Sequence, residues 1–596
     1  MAPASGQSDW DAPPATEFNF PFPPYPIQGE LMRAIYHTLQ RRGIGVMESP
    51  TGTGKSLSIV CSVFHWLVSQ RRRILMEGKM GNVENGGEPG LEWVKEALVE
   101  TAKAAVEHEL QDRETRRQER SRRGKDWLVN GPKKERGLKK ARVGGEDFAL
   151  AGGDEDDDLG WGVEEEEEQI EAPKPPVRII LCSRTHSQLS QLLGEMRKVT
   201  VAGQELSVVA LGGRAQLCCN SQVRAVGRSS AAINDACRNA CDKGKCHFRK
   251  GSSRAADVAF TRPMDVESLR SAGETVEGCA YFGAREAAAE ADVVLVPYSY
   301  VVNSGIRKGA GLDIENAVVV FDEAHNLLEA VNGSHSSSLK GADAASAANA
   351  IKAYVGQYAP RLSARNTMYL KKLQRVCSLF SSYISDLQQS AACTVGAFFV
   401  RAGVEQFDFA DLHDWLHDAD VLRKIRGFAE AQAAKAARAG AAAGADHRAD
   451  PSALYAVSEF LGSCVFCSTE DRVVVDADAG CVKFVNLNAE ARFAEVVRAS
   501  HAVVLVGGTM EPAAEFTPLF AGTPEREVIR FSAAHAVSPQ RLFARAVTAW
   551  DGAALDFKAG SRSRPEVVGG LARLLRGVVE RTPGGVVVFV VSYEYL

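Results

Sequence analysis

Apolar positions along this chain change their period several times, and each change predicts a different element. Around Leu31–Leu39 they recur at helical spacing, and a short apolar run, Ile44–Met47, follows. Leu57–Val68 is again helix-compatible. From Val177 onward, short β-rich runs recur at Ile179–Cys182, Val208–Leu211, Val293–Val296, Val318–Phe321, Val503–Val506 and Val586–Val591. Runs that are apolar at every position predict strands buried on both faces, as in a parallel sheet flanked by helices, so the expected class is α/β. Between about 330 and 480 the texture turns helical and Ala-rich, with a low-complexity stretch at Ala429–Ala445, and predicts a separate helical insertion.

Residues from about 80 to 175 follow neither period. They carry a basic block (Arg113, Arg116, Arg117, Arg120, Arg122, Arg123, Lys125), a second one (Lys133, Lys134, Arg136, Lys139, Lys140, Arg142), and acidic runs at Asp154–Asp158 and Glu164–Glu168. Blocks of like charge with few apolar residues bury too little surface to offset ordering entropy, which predicts a disordered insertion over 81–175. Part of 93–125 has helical spacing and is compatible with a solvated helix.

Composition narrows the class. At 596 residues, and roughly 150 per domain, about four domains are expected. The 45% apolar and 24% charged fractions exclude a collagenous, fully disordered or membrane-embedded chain, and no run approaches the ~18 apolar residues of a membrane helix. The first residues lack a basic start followed by an apolar stretch, so secretion is not expected. A net charge of only −5 leaves nucleic-acid affinity to local patches. Thirteen cysteines in such a chain suggest reduced thiols, for metal ligation or burial.

Glu48-Ser-Pro-Thr-Gly-Thr-Gly-Lys-Ser56 follows an apolar strand and opens a helix-compatible segment. That is the setting of a P-loop, in which backbone N–H groups cradle phosphate, Lys55 neutralises charge and Ser56 meets Mg²⁺. Ser49 stands where the strict pattern has its first glycine, while Gly52 and Gly54 retain the needed backbone freedom. A plain Gly-rich turn is the alternative. Downstream, Val318-Val-Val-Phe-Asp-Glu-Ala-His325 puts two carboxylates where a strand ends. There Asp322 can hold Mg²⁺ and Glu323 can polarise water attacking a γ-phosphate, whereas a lone Asp-Glu pair is usually a solvated loop.

Thr51-Gly-Thr-Gly-Lys-Ser56 with Asp322-Glu-Ala-His325 resembles the superfamily-two helicases of the DEAH type. Other segments resemble that class in the same order. Phe22-Pro-Pro-Tyr-Pro-Ile-Gln28 resembles the adenine-reading segment, with Gln28 as base contact alongside the ATP-binding Gly52, Thr53, Gly54, Lys55 and Ser56. Cys182-Ser-Arg-Thr-His-Ser-Gln188 resembles the motif through which Arg184 and Thr185 would touch the nucleic-acid backbone. Gly507-Gly-Thr-Met510 resembles the segment coupling hydrolysis to strand movement, with His325 and Thr509 in that role. Gly584-Gly-Val-Val-Val-Phe and Ser592-Tyr-Glu-Tyr-Leu596 resemble the opening of a second motor domain, although Val590-Val591 replaces the aromatic-Pro pair expected there.

Six cysteines lie between the Cys182–Gln188 motif and Asp322-Glu-Ala-His325: Cys218, Cys219, Cys237, Cys241, Cys246 and Cys279. Their long, uneven spacings suit a cluster that nucleates a small domain better than the tight pairs of zinc modules. The arrangement resembles the XPD-like iron–sulfur DNA helicases, which implies a [4Fe–4S] cluster on Cys218, Cys237, Cys246 and Cys279. Cys219 is then spare and Cys241 competes with Cys237. Zinc or plain buried thiols are the alternatives. Cys464-x-x-Cys467 reads as ordinary packing.

The charged insertion, with Gly507-Gly-Thr-Met-Glu-Pro512 and Ser592-Tyr-Glu-Tyr-Leu596, resembles the chromosome-loss branch, which acts in sister-chromatid cohesion. That resemblance implies a nuclear ATP-dependent DNA helicase, moving 5′ to 3′ on single strands. It also implies single-stranded and forked DNA and replication-fork and cohesion proteins as partners, ATP, Mg²⁺ and a [4Fe–4S] cluster as cofactors, and no membrane. The basic blocks fit nuclear import or DNA contact, and equally a flexible tether. The expected architecture is a RecA-like motor assembled from 1–80, 176–212, 286–330 and 482–514. The charged segment 81–175, an iron–sulfur domain at 213–285 and a helical arch at 331–481 interrupt it, and a second motor domain begins over 515–596. Such motors draw arginines from the second domain onto the γ-phosphate. The chain is therefore expected to be incomplete, and alone to bind nucleotide and DNA weakly and unwind little. A non-catalytic nucleic-acid-binding remnant is the main alternative. A DEAH RNA helicase is disfavoured by the cysteines.

Overall fold

The apolar runs singled out by the pattern become neighbours in one sheet. In this computed structural model, β1 (Ile44–Glu48), β2 (Ile179–Ser183), β3 (Val208–Ala210), β4 (Val293–Pro297) and β5 (Val318–Asp322) are joined by β10 (Ala502–Gly507) and β11 (Val528–Ser532). The seven strands run in the order β11-β1-β10-β5-β2-β4-β3 and every pairing is parallel. Apart from the exposed Val528 on the edge strand β11, their valines and isoleucines are buried, which is where β-branched side chains pack best. All the strands end at one edge, so Glu48, Gly507, Asp322 and Ser183 come to the same side of the sheet.

The structure describes residues 12–590 apart from 51, 85–91, 132–176, 202–205, 226–229, 419–420, 439–452, 511, 513–514, 534–538, 542 and 559. The second basic block and both acidic runs lie outside the described residues. Two units separate: Met1–Ala534 and His535–Leu596. Among the described residues no helix is long and apolar enough to cross a membrane.

Four expectations need correction. First, 81–175 is not wholly unstructured. Helix α1 (Pro26–Gln40) and helix α2 (Lys55–Glu84) are followed by α3, a helix over Glu92–Asn130. Helix α3 buries Ala102, Val106 and Arg120, so it is not solvated all round, and charge density hid those few inward positions. Second, the 331–481 insertion is not purely helical. It contains a four-stranded antiparallel sheet, β6 (Ser337–Lys340), β7 (Ala391–Cys393), β8 (Arg472–Asp476) and β9 (Cys481–Val485), in the order β6-β9-β8-β7. Helices such as Gly341–Tyr358 and Ala364–Ser385 pack with it around a separate core of Leu370, Phe380, Phe398 and Phe460. The insertion therefore reaches Val485.

Third, the first unit does not stop at 514. Strand β11 pairs with β1, Ile44 opposite Val528, and so belongs to the first sheet. Fourth, Val586–Val591 does not form a strand over its described part: residues 586–590 are irregular, and Phe589 is 94% exposed. An apolar run becomes a strand only beside a hydrogen-bonding neighbour, and no described strand lies alongside it. The His535–Leu596 unit instead shows a small hairpin, Ala549–Trp550 with Ala553–Ala554, and the helix Pro565–Arg581. Cys464 packs into the core of the inserted domain, as expected.

Candidate nucleotide site and cysteine module

The turn between β1 and α2 requires glycine twice. Gly52 and Gly54 hold φ of +83° and +76°, values that cost an L-residue roughly 1–2 kcal/mol. Ser49 does not disrupt the loop: its hydroxyl lies 2.8 Å from Thr53 Oγ1, which donates to the Pro50 carbonyl at 2.7 Å. A polar side chain thus braces the loop from within. Gln28 donates to the Thr53 carbonyl at 2.8 Å, and its own Oε1 accepts from the Tyr25 N–H at 2.8 Å. The adenine-segment residue is therefore locked onto the phosphate loop.

Lys55 opens α2 and is 7% exposed. Its Nζ donates to Glu323 Oε1 at 3.0 Å, joining residues 268 apart in sequence. Asp322 ends β5 and is 5% exposed. Glu323 follows in the left-handed region at φ +57°, and its N–H donates to Asp322 Oδ1 at 3.0 Å. A side chain forced into that region marks a turn under strain, as functional loops often are. Burial, and next the Glu323 carboxylate, push Asp322 up to about 6 despite the opposing pull of Lys55. Two carboxylates thus share one ammonium in a recess. That donor set is short of positive charge and fits a divalent cation beside the half-buried Ser56.

The same edge gathers the coupling motif. His325 Nδ1 stands 3.3 Å from Glu323 Oε2, and its Nε2 is 2.7 Å from Asn326 Nδ2. A Cβ on Gly507 would sit 3.6 Å from the His325 N, so the β10 terminus abuts the Asp-Glu-Ala-His turn. Thr509 is exposed just beyond. Arg184 and Thr185 are exposed at the end of β2, where Thr185 caps helix α4 (His186–Met196) by accepting from the Gln188 N–H at 3.3 Å. Two further residues shape the site and went unnoticed in the sequence. Glu48 accepts from the Met510 N–H at 3.3 Å and from Ser532 Oγ at 2.8 Å, tying β1 to both neighbours. Its place beside the P-loop was the only signal. Tyr298 donates its hydroxyl to the Asp322 carbonyl, a contact without a local signature.

The cysteines form a second centre. Cys218, Cys237, Cys246 and Cys279 are all buried. Their thiols are close enough that each of Cys218 and Cys279 feels the charge of others in the set. Burial pushes Cys218 up to about 11. Cys237 is instead drawn down, first by a hydrogen bond from Cys241 and then by Arg214. Cys279 precedes the helix Ala280–Glu290; burial pushes its thiol up, and the backbone N–H groups of Phe282 and Tyr281 offset part of that rise. Cys219 is occupied elsewhere: Gly278 O lies 3.4 Å and Ala280 N 3.5 Å from its sulfur, in keeping with a spare. Cys241 stands one helical turn beyond Cys237 and half-exposed, so both face the same cage. Among the described residues no three His, Cys, Asp or Glu side chains are grouped to hold a single metal ion. Buried thiols converging near Arg214 and Arg249 nevertheless fit a larger group that needs thiolates.

A DEAD_2 family model matches residues 181–343. The ATP-dependent DNA helicase DDX11 of Danio rerio is 28% identical, over 97% of this chain and 77% of its own length. The ATP-dependent DNA helicase CHL1 of Meyerozyma guilliermondii is 29% identical, over 98% and 76%. Human DDX11 is 27% identical, over 98% and 73%. Among solved structures, an XPD helicase aligns with 85% of this chain and 62% of its own at 13% identity and TM-score 0.44.

Proposed function

We propose that this chain, like the ATP-dependent DNA helicases DDX11 and CHL1 to which it is similar, hydrolyses ATP at the Lys55–Asp322–Glu323 recess to move 5′ to 3′ along single-stranded DNA. The observation that carries the reading is the Lys55–Glu323 pair at 3.0 Å beside buried Asp322, on the carboxyl edge of a parallel sheet. Ligands of such sheets bind at that edge.

The loop N–H groups and Lys55 receive the phosphates, and Lys55 exchanges Glu323 for phosphate oxygens. Asp322 and Ser56 would hold Mg²⁺, which would supply charge neutralisation at the phosphates. Glu323, released from Lys55, takes the proton of the attacking water. His325, 3.3 Å from Glu323 and abutting Gly507, passes the change to Thr509, while Arg184 and Thr185 grip the DNA backbone. Cys218, Cys237, Cys246 and Cys279 would hold a [4Fe–4S] cluster, which would brace the module where strands part. Forked DNA, fork and cohesion proteins as partners, and a nuclear location follow from the same reading.

The test is phosphate release from ATP with and without single-stranded DNA, and with RNA of the same sequence. Slow DNA-stimulated turnover is expected of this chain alone, reduced about 10²-fold or more in Lys55→Ala. Turnover undiminished in that variant would reject the site, and stimulation by RNA alone would reject the substrate.

A further inference from the structure

Lys55 is both the phosphate-loop lysine and the first residue of α2, a helix of 30 residues, about 45 Å at the usual rise. Helix α3, with 39 residues, turns back along it. Arg71 of α2 and Arg113 of α3 both reach Asp292 Oδ1, at 2.5 and 3.3 Å, and Lys79 pairs with Glu109 at 3.0 Å. Burial works to raise Asp292, yet Arg71, Arg113 and the Ser207 hydrogen bonds keep it below the ordinary carboxylate value. That charge cluster ties both helices to the start of β4.

The far part of α3 grips the cysteine module. A Cβ on Gly124 would stand 2.4 Å from the Asp257 carbonyl oxygen, so α3 and the helix Ser252–Ala259 cross backbone to backbone. Beside that crossing, Arg120 is 8% exposed. It donates to Asp257 Oδ1 at 2.9 Å, to Glu286 Oε1 at 2.7 Å and to Glu290. Arg123 adds a bond to Asp257 Oδ2 at 3.0 Å. Glu286 and Glu290 sit on the helix that begins after Cys279, and Ser252–Ala259 follows Cys246 by one short turn. A Cβ on Gly283 would lie 2.8 Å from the Ser252 carbonyl, so these two helices pack as one piece. Breaking a buried arginine away from three carboxylates is costly, and α3 therefore moves with the module.

We infer that the insertion helix α3 couples the nucleotide site to the cysteine module, with Arg120 and Gly124 as the positioning residues at the junction. The inference rests on the nucleotide reading of the Lys55 recess. A displacement of α2 on nucleotide binding reaches α3 through Asp292 and the Lys79–Glu109 pair, and α3 delivers it to the two helices flanking Cys246 and Cys279. The basic block of the insertion serves this internal junction through Arg113, Arg120 and Arg123.

Hydrogen exchange of the full chain, with and without Mg²⁺, ADP and beryllium fluoride, tests it. In the unaltered protein, nucleotide is expected to slow exchange about fivefold or more over both 52–58 and 252–259. In Arg120→Ala and in Gly124→Ala, protection at 52–58 should remain and the response at 252–259 should be lost. Arg116→Ala, altering an exposed position on the same helix, should respond like the unaltered chain. A response at 252–259 that persists in both junction variants overturns the inference. So does fast exchange throughout 252–290 in both variants without nucleotide, which would make α3 a stabilising element only. No protection at 52–58 in the unaltered protein would reject the nucleotide reading itself, and the inference with it.

Discussion

Glu323→Gln should tighten nucleotide binding while nearly abolishing turnover. Lys55 Nζ is held by Glu323 at 3.0 Å, and a phosphate must displace that carboxylate. The gross attraction at this distance is about 5–6 kcal/mol at an effective dielectric near ~20, and desolvation cancels most of it. Glu323 keeps 26% of its side-chain exposure and Lys55 only 7%, so the net pair lies between surface and buried cases, at about 1 kcal/mol. Removing the charge should strengthen nucleotide affinity about fivefold. It also removes the proposed base, so hydrolysis should fall about 10²–10⁴-fold. Titration with a fluorescent ADP analogue, with and without Mg²⁺, reads the first effect and single-turnover phosphate release the second. Affinity that weakens in Glu323→Gln, or hydrolysis that survives it, would refute the exchange of partners.

Replacing any one of Cys218, Cys237, Cys246 and Cys279 with serine should remove iron and the broad absorption near ~400 nm from anaerobically purified protein; Cys219→Ser should keep both, because that sulfur contacts backbone groups. Arg426 donates to Asp235 Oδ2 at 2.6 Å with both side chains buried, 4% and 6% exposed. Arg426→Ala should cost about 3 kcal/mol by leaving that buried carboxylate the Tyr455 hydroxyl but no guanidinium, with much of the loss recovered in the double variant with Asp235→Ala, as read from chemical denaturation. His501 is held down to about 4, first by burial, and its Nε2 lies 3.1 Å from the Leu39 carbonyl. Unfolded, it titrates near ~6.5. The unfolded chain therefore binds more protons between those values, and the stability contribution, complete above ~6.5, is lost by about 3 kcal/mol as pH falls towards ~4. Melting curves across that range should show the loss, and His501→Gln should flatten it; an unchanged slope would dismiss the assignment.

The strands and the phosphate loop were legible because their causes are local. A fully apolar tetrapeptide such as Val318-Val-Val-Phe needs burial on both faces whatever surrounds it, and Gly52 and Gly54 supply positive φ that other residues resist. The candidate ligands and carboxylates could be named for the same reason: their chemistry belongs to residue type and spacing. Val586–Val591 shows the limit, since an apolar run does not carry its own hydrogen-bonding neighbour.

Helix α3 marks where reading along the chain stops. Its arginines look like a solvated charge block until Arg120 meets Asp257, Glu286 and Glu290, which lie 137 to 170 positions away. Strand β11 closes the sheet beside β1, and Glu48 bridges to Met510 and Ser532, for equally remote reasons. Charge pairing and sheet order are properties of pairs of segments, settled by which surfaces the folded chain brings together. Residue chemistry and local period decided what each segment could become; packing across hundreds of positions decided which partner satisfied it.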